Sequence, residues 1–193
     1  MKTLEFIIIQ GIGFLGLLAG IIAVQFNKHK TIVLWKTVME ILFIVQYYFL
    51  HAYVGMVMGV IGVIRNVIFT QLVAQKKSTK IPIILACIVT VIAGILTLLL
   101  SWEKTVNSLS FWTNNYNVML SMTIIISVMS IVAKILSTIG YGKEDPKTIR
   151  ALNYPSSSLW LVYNVISFSL SGIITEVLVL ISLTIATIRY KDK

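Results

Sequence analysis

Three ionisable residues, Glu40, Arg65 and Glu176, stand inside long apolar runs. A charge at mid-bilayer costs about 3 kcal/mol or more, so each of them needs a partner or a task. Glu40 and Arg65 fall at matching depth on consecutive apolar segments, each about ten residues from the same end. That predicts a Glu40–Arg65 ion pair, with Lys36 one helical turn from Glu40. Such a set acts either as a structural salt-bridge network or as a gate. Glu176 has no basic residue at matching depth in the sequence. Its carboxyl can bind a solute or couple to a proton, or it can simply hydrogen-bond a neighbouring Ser or Tyr.

The segment upstream of Glu176 is the least lipid-like in the chain. It reads Asn153-Tyr154-Pro155-Ser156-Ser157-Ser158, then Trp160, Tyr163, Asn164 and Ser167. Polar groups this dense must line a cavity or contact other helices. Pro155 is expected to kink the helix. Trp160, Asn164 and Ser167 recur every three to four residues and so share one helical face. An aromatic surface beside an amide is a common way to hold a small neutral ring or sugar.

The elements that must position these residues are membrane spans. The chain of 193 residues is 58% hydrophobic and 12% charged, with mean hydropathy +0.93. A water-soluble domain of this size cannot bury that much apolar surface. Seven apolar runs are long enough to span: Leu4–Phe26, Thr31–Leu50, Tyr53–Ala74, Ile81–Leu100, Asn117–Ser137, Thr148–Phe168 and Leu170–Tyr190. The second and third are joined by a tight hairpin around His51, and the last two by another around Ser169. Pro82 and Pro146 sit near segment starts, where a missing N–H costs nothing.

Sliding the chain along itself by 117 residues aligns its two ends without a gap. Ten identities fall over Lys30–Thr70 against Lys147–Thr187, where roughly three to four are expected by chance. This register sets Phe43 opposite Trp160, Gln46 opposite Tyr163 and Tyr47 opposite Asn164, which fits a pseudo-symmetric site. Segment four has no repeat partner and reads as a linker.

The net charge of +9 sits in short clusters between apolar runs, which is the pattern of topology signals and not of nucleic-acid binding. With seven crossings, thirteen basic residues fall on one side: Lys28, Lys30, Lys36, Lys76, Lys77, Lys80, Lys134, Lys143, Lys147, Arg150, Arg189, Lys191 and Lys193. The other side receives Lys2 and Lys104. The C-terminus is therefore expected in the cytoplasm and the N-terminus outside. Met1–Gly20 resembles a signal peptide but lacks a small-x-small cleavage site, so it is read as retained.

Other signals are weaker. Gly13, Gly16 and Gly20 form a helix-packing stripe, as do Gly55 and Gly59. Asn107–Asn117, with Trp102, Trp112 and Tyr116, reads as an interfacial outer loop. Cys87 is the single cysteine, so no disulfide framework exists. No HExxH, paired-cysteine, phosphate-loop or nucleophile-elbow pattern is present. The chain is not expected to be an enzyme or to hold a cofactor or metal.

The run Gln46-Tyr-Tyr-Phe-Leu-His51-Ala-Tyr-Val-Gly55, leading to Arg65-Asn66-Val-Ile-Phe69, resembles the YgjV-type bacterial inner-membrane proteins. Trp160-Leu-Val-Tyr163-Asn164, Ser171-Gly172, Glu176 and Ile181-Ser182 fit the same family. More distantly, the plan is similar to the SWEET, PQ-loop and PnuC superfamily of sugar and vitamin-precursor carriers. There a Trp and an Asn on the sixth and seventh helices help to form the central site. Here Trp160 stands in the Trp region and Thr175-Glu176 in the Asn region. No Pro-Gln dipeptide is present, and the first repeat has no core proline hinge.

The expected fold is an all-α integral membrane protein with seven transmembrane helices in a three-one-three arrangement of two parallel three-helix bundles. Residues 1–78 form the first bundle, 79–104 the linker helix, 105–116 an outer loop and 117–193 the second bundle. The expected function is a small-molecule transporter of the bacterial inner membrane for a neutral sugar-like or vitamin-precursor solute. Its site would be built from Trp160, Asn164, Glu176, Tyr163, Gln46, Tyr47 and Phe43, with Glu40, Arg65 and Lys36 as gate or structural ion pair. The alternative is a non-transporting receptor, scaffold or accessory subunit. The partners are the lipid bilayer and a solute; either a monomer or an oligomer satisfies the reading.

Overall fold

A computed structural model describes residues 3–23, 29–75, 77–143 and 146–189. The described residues are helical throughout, connected by short turns. The helices are α1 (Thr3–Ala23), α2 (His29–Phe49), α3 (Tyr53–Ala74), α4 (Lys80–Leu100), α5 (Trp102–Ser108), α6 (Tyr116–Tyr141), α7 (Pro146–Ile166) and α8 (Leu170–Arg189). A 3-10 turn, Leu109–Phe111, follows α5.

Seven of these match the apolar runs of the sequence. By length and composition, four are long and apolar enough to cross a bilayer: Leu4–Ile22, Tyr53–Leu72, Lys80–Leu100 and Tyr116–Tyr141. Thr37–Phe49 and Leu170–Ile185 are shorter apolar stretches. The seventh, α7, has 21 residues, about 31 Å of helix, but is rich in hydroxyls and amides. The eighth, α5, is a departure from expectation, since the residues after the fourth span form a short helix and not a plain loop.

Consecutive helices pack as α1 on α2 on α3 and as α6 on α7 on α8. Between the two sets, α3 packs on α6 and α1 on α8. α4 packs on α3 and α6 and turns most of its surface outward, with Ile81 70% and Leu100 86% exposed. Its inward face is Thr90 and Gly94, small enough to admit Ile131 of α6. Exposed Ile, Leu and Val side chains cover the outside while Gln, Ser, Thr and charged side chains are buried. Such an inverted distribution suits a lipid solvent.

The glycine stripe of α1 lies against α2. A methyl at Gly16 would crowd Leu42, and one at Gly20 would press on Met39. Helix approach without hydrophobic drive depends on such small residues.

The two helix hairpins share one backbone. His51 (φ 56°) and Phe168 (φ 58°) are the only non-glycine residues of positive φ among those described, and they are 117 positions apart. The α2–α3 turn is closed by bonds from Leu50 N to Gln46 O, His51 N to Tyr48 O and Ala52 N to Tyr47 O. The α7–α8 turn repeats each bond 117 residues on: Ser167 N to Tyr163 O, Phe168 N to Val165 O and Ser169 N to Asn164 O. A left-handed non-glycine residue is costly, so its recurrence at matching positions marks a shared design.

Candidate functional site

The buried polar residues form two layers between the α1–α3 and α6–α8 sets. The first lies at the hairpin end. Tyr47 Oη donates to Asn164 Oδ1 at 2.7 Å, joining α2 to α7 across 117 positions. Tyr47 stacks on Trp160, with centroids 6.4 Å apart and an interplanar angle of 12°. Tyr163 meets both rings edge-on, at 5.7 and 5.2 Å, and Phe43 lies 6.1 Å from Tyr47.

Gln46 and Tyr163 are also 117 positions apart, and each reaches into the other's hairpin. Gln46 Oε1 accepts from Ser169 Oγ at 3.0 Å and Ser171 Oγ at 3.1 Å. Its Nε2 donates to Gln10 Oε1 at 3.0 Å. Gln10 also accepts from the Leu170 N–H at 3.0 Å and donates to Phe168 O at 2.7 Å, so α1 holds the start of α8. Tyr163 Oη accepts from the Gly55 N–H at 2.9 Å and donates to Ala52 O at 3.2 Å. The first N–H groups of a helix lack partners within it, and here Tyr163 of α7 supplies one for Gly55. Glycine is required at 55 because a methyl would strike the Tyr163 phenol.

The second layer is charged. Lys134 Nζ, on α6, lies 4.0 Å from Glu40 Oε1, on α2. Asn66 Nδ2 donates to Glu40 Oε2 at 3.2 Å. Arg65 donates to Asn66 Oδ1 through Nη2 at 2.8 Å and Nε at 3.2 Å. Its Nη1 donates to Ser137 Oγ at 3.2 Å and Thr138 Oγ1 at 3.1 Å, and its guanidinium lies 4.9 Å from the Tyr141 ring centre. Gly62 makes room for the layer, since a methyl there would collide with the Lys134 ammonium and crowd the Glu40 carboxylate. Glu176, on α8, is half-buried.

Several expectations are thereby placed or corrected. Trp160, Tyr163, Asn164, Gln46, Tyr47 and Phe43 do come together, but as a packed core with its polar atoms mutually bonded. The expected Glu40–Arg65 ion pair is replaced by Glu40–Lys134, with Asn66 inserted between Glu40 and Arg65. The rotation of α3 turns Asn66, and not Arg65, toward Glu40. Lys134 is 5% exposed and is therefore a core cation, not a helix-end topology charge. The helix around Pro155 runs unbroken, and Ser156 Oγ bonds Ala133 O of α6 at 2.8 Å.

Lys2, Lys28, Lys76, Lys191 and Lys193 lie outside the described residues, as do the side chains of Lys30, Lys36, Lys147 and Arg189. The reading of the sequence missed Gln10, Gly62, Asn66 and Lys134. Gln10 and Lys134 carried a usable signal, each being a polar residue deep in an apolar run. The outer loop also does more than face the interface: Trp112 Nε1 donates to Ile166 O at 2.9 Å and Phe111 packs on Phe168 at 4.4 Å, covering the α7–α8 turn.

Chemically, the two layers can hold helices in register, exchange hydrogen bonds with a small polar solute and bind a proton. A family model described as a bacterial inner membrane protein, Imp-YgjV, matches residues 7–193. Neither a curated protein nor a solved structure matches the chain.

Proposed function

We propose a carrier role from one premise: the chain belongs to the Imp-YgjV family of bacterial inner membrane proteins. In this reading all seven long helices span the membrane. α1–α3 and α6–α8 are two parallel three-helix bundles, α4 is the linker, the N-terminus is outside and the C-terminus is cytoplasmic. The solute is small and neutral, sugar-like or a vitamin precursor, and it is held between the bundles by Trp160 with Asn164, Gln46 and Glu176.

The observation that supports this reading best is the Tyr47–Asn164 hydrogen bond. It joins positions 117 residues apart, so it lies on the axis relating the repeats, where repeat-built transporters place their site. The hairpin-end layer then acts as a closed gate above the solute position. Exchange of Tyr47–Asn164 and Gln46–Ser169 bonds for bonds to solute is the opening step. Because the network is already satisfied within the protein, only a solute that offers comparable hydrogen bonds displaces it without penalty.

One observation favours the rival reading of a receptor, scaffold or accessory subunit: Gln46, Tyr47, Tyr163 and Asn164 are as fully bonded as a static core would be. Single cysteines, introduced at each layer in a Cys87→Ala background, distinguish the two. A carrier gives labelling from both faces of the membrane, in proportions that shift with solute. Labelling from one face alone under all conditions would refute the carrier reading.

A further inference from the structure

We propose that the seam where α4 begins and α6 ends binds the headgroup of an anionic phospholipid, with Lys77, Lys80 and Lys143 receiving its phosphate. The inference goes beyond the carrier reading and does not depend on it.

Two helix ends meet at this seam. Thr79 Oγ1 donates to Gly142 O at 2.7 Å across 63 positions. Gly142 is buried against Ile83, and a methyl there would strike the isoleucine side chain, so the two ends touch directly. Lys80 and Lys143 each stand one residue beyond the bonded pair, and Lys77 stands two residues before Thr79. The Lys77 N–H bonds to Leu72 O at 2.9 Å, which closes the end of α3. The ends of α3, α4 and α6 therefore deliver these lysines to one place, and all three are exposed.

Positive charge is in excess here. Residues 75–80 and 142–145 together carry Lys76, Lys77, Lys80 and Lys143 against Glu144 and Asp145, of which Lys76 and the two acids lie outside the described residues. Among the described carboxylates, Glu40 is engaged by Lys134 and Asn66, and Glu103 follows the far end of α4. Glu5, in the first turn of α1, is at the hairpin end, where its neighbour Phe6 meets Phe168.

The surface beside the lysines identifies the partner. From Lys80 the outward face of α4 continues as Ile81, Ile84 and Leu85, all exposed, so lipid-facing surface begins within a turn of the charges. Across the seam stands Tyr141, exposed at one edge and set against the Arg65 guanidinium. A phenol of this kind suits the membrane interface. A soluble anion or an acidic peptide would use the lysines and leave the isoleucines without a partner. A phospholipid uses both, with its phosphate on the ammonium groups and its acyl chains along α4. Basic clusters between helix ends at the membrane surface recognise headgroups in this way. Bound there, the lipid offsets the mutual repulsion of the lysines and fastens the start of α4 to the end of α6.

The full chain in phosphatidylcholine nanodiscs, with a trace of spin-labelled phosphatidylglycerol or spin-labelled phosphatidylcholine, reports relative association from the motionally restricted fraction. Phosphatidylglycerol should be preferred by about fivefold or more at low salt, the effect of one surface lysine on an anionic headgroup. The preference should fall to near one in Lys77→Gln/Lys80→Gln/Lys143→Gln and persist in Lys104→Gln, an exposed lysine beyond the far end of α4. Lysine and glutamine have similar helix propensity, so these exposed changes leave folding intact. A photoactivatable phosphatidylglycerol, reactive beside its headgroup, should label residues 77–84 and 141–143. A wild-type ratio near one, a preference that survives the triple variant, or label confined to other residues overturns the site. None of these readouts needs transport, so their failure is separable from failure of the two-face labelling that tests the carrier.

Discussion

Tyr163→Phe isolates a single hydrogen-bonding group whose job can be handed to another residue. The phenol caps the N-terminus of α3 from α7, accepting the Gly55 N–H while buried to 1% exposure. The equivalent amide, Gly172 N–H, is capped at 3.2 Å by Ser169, the residue at its own helix start. Position 52, which corresponds to 169, is alanine and has no oxygen to offer. Removing the Tyr163 hydroxyl leaves the Gly55 N–H unpaired, whereas Ala52 O keeps its bond from Met56 N at 3.0 Å. One buried donor is orphaned, at a cost of about 1–3 kcal/mol, close to the ~1 kcal/mol typical of a lost N-cap. Ala52→Ser in the Tyr163→Phe background should restore about 1 kcal/mol of that, because its hydroxyl copies Ser169. In the wild-type background the same change should gain little, since the amide is already satisfied. Unfolding in SDS titrations of the four variants gives the cycle. Equal effects of Ala52→Ser in both backgrounds, or no loss in Tyr163→Phe, would refute the capping argument.

Three further outcomes follow from the same packing. Gly55→Ala drives a methyl into the Tyr163 phenol and should cost about 1–3 kcal/mol in the same unfolding assay. Gly11→Ala, where nothing lies within 4 Å, should be neutral or stabilising by up to about 1 kcal/mol. Lys134→Met strands the Glu40 carboxylate and should cost about 3–5 kcal/mol, most of it regained in the Lys134→Met/Glu40→Gln double variant, as resolved by the same titration. In a thermal-shift screen of sugars, nucleosides and vitamin precursors, a hit on the wild type should vanish in Trp160→Ala, and a hit that persists there moves the solute away from α7.

What the sequence disclosed, and what it hid, divides along helix length against helix rotation. Apolar run length marks the seven long helices to within a few residues, and the 117-residue register sets Tyr47 opposite Asn164, its hydrogen-bond partner. Depth is legible in part: Arg65 is buried, whereas Glu40 and Glu176 are half-buried. Which side chain on a turn faces inward was not, so Asn66 went unnoticed and Arg65 received its neighbour's role. Lys134 was lost to a boundary. With the fifth apolar run ended at Ser137 it stood one turn from the edge, whereas α6 continues to Tyr141 and places it nearer two turns inside. α5 carries charged and polar residues among few apolar ones, so its pattern did not rise above that of a loop.

The two hairpins share a backbone but not a schedule. The α7–α8 turn caps itself with Ser169 and draws on Gln10 and Gln46, both made long before it, so every partner is present when it emerges from the ribosome. The α2–α3 turn must wait for Tyr163, 108 residues beyond Gly55. Until α7 is made, the start of α3 lacks the partner of its Gly55 amide. A chain truncated ahead of Tyr163 therefore leaves the start of α3 uncapped. The second half of the protein is what finishes the first, and assembly of the two is read out at a single amide.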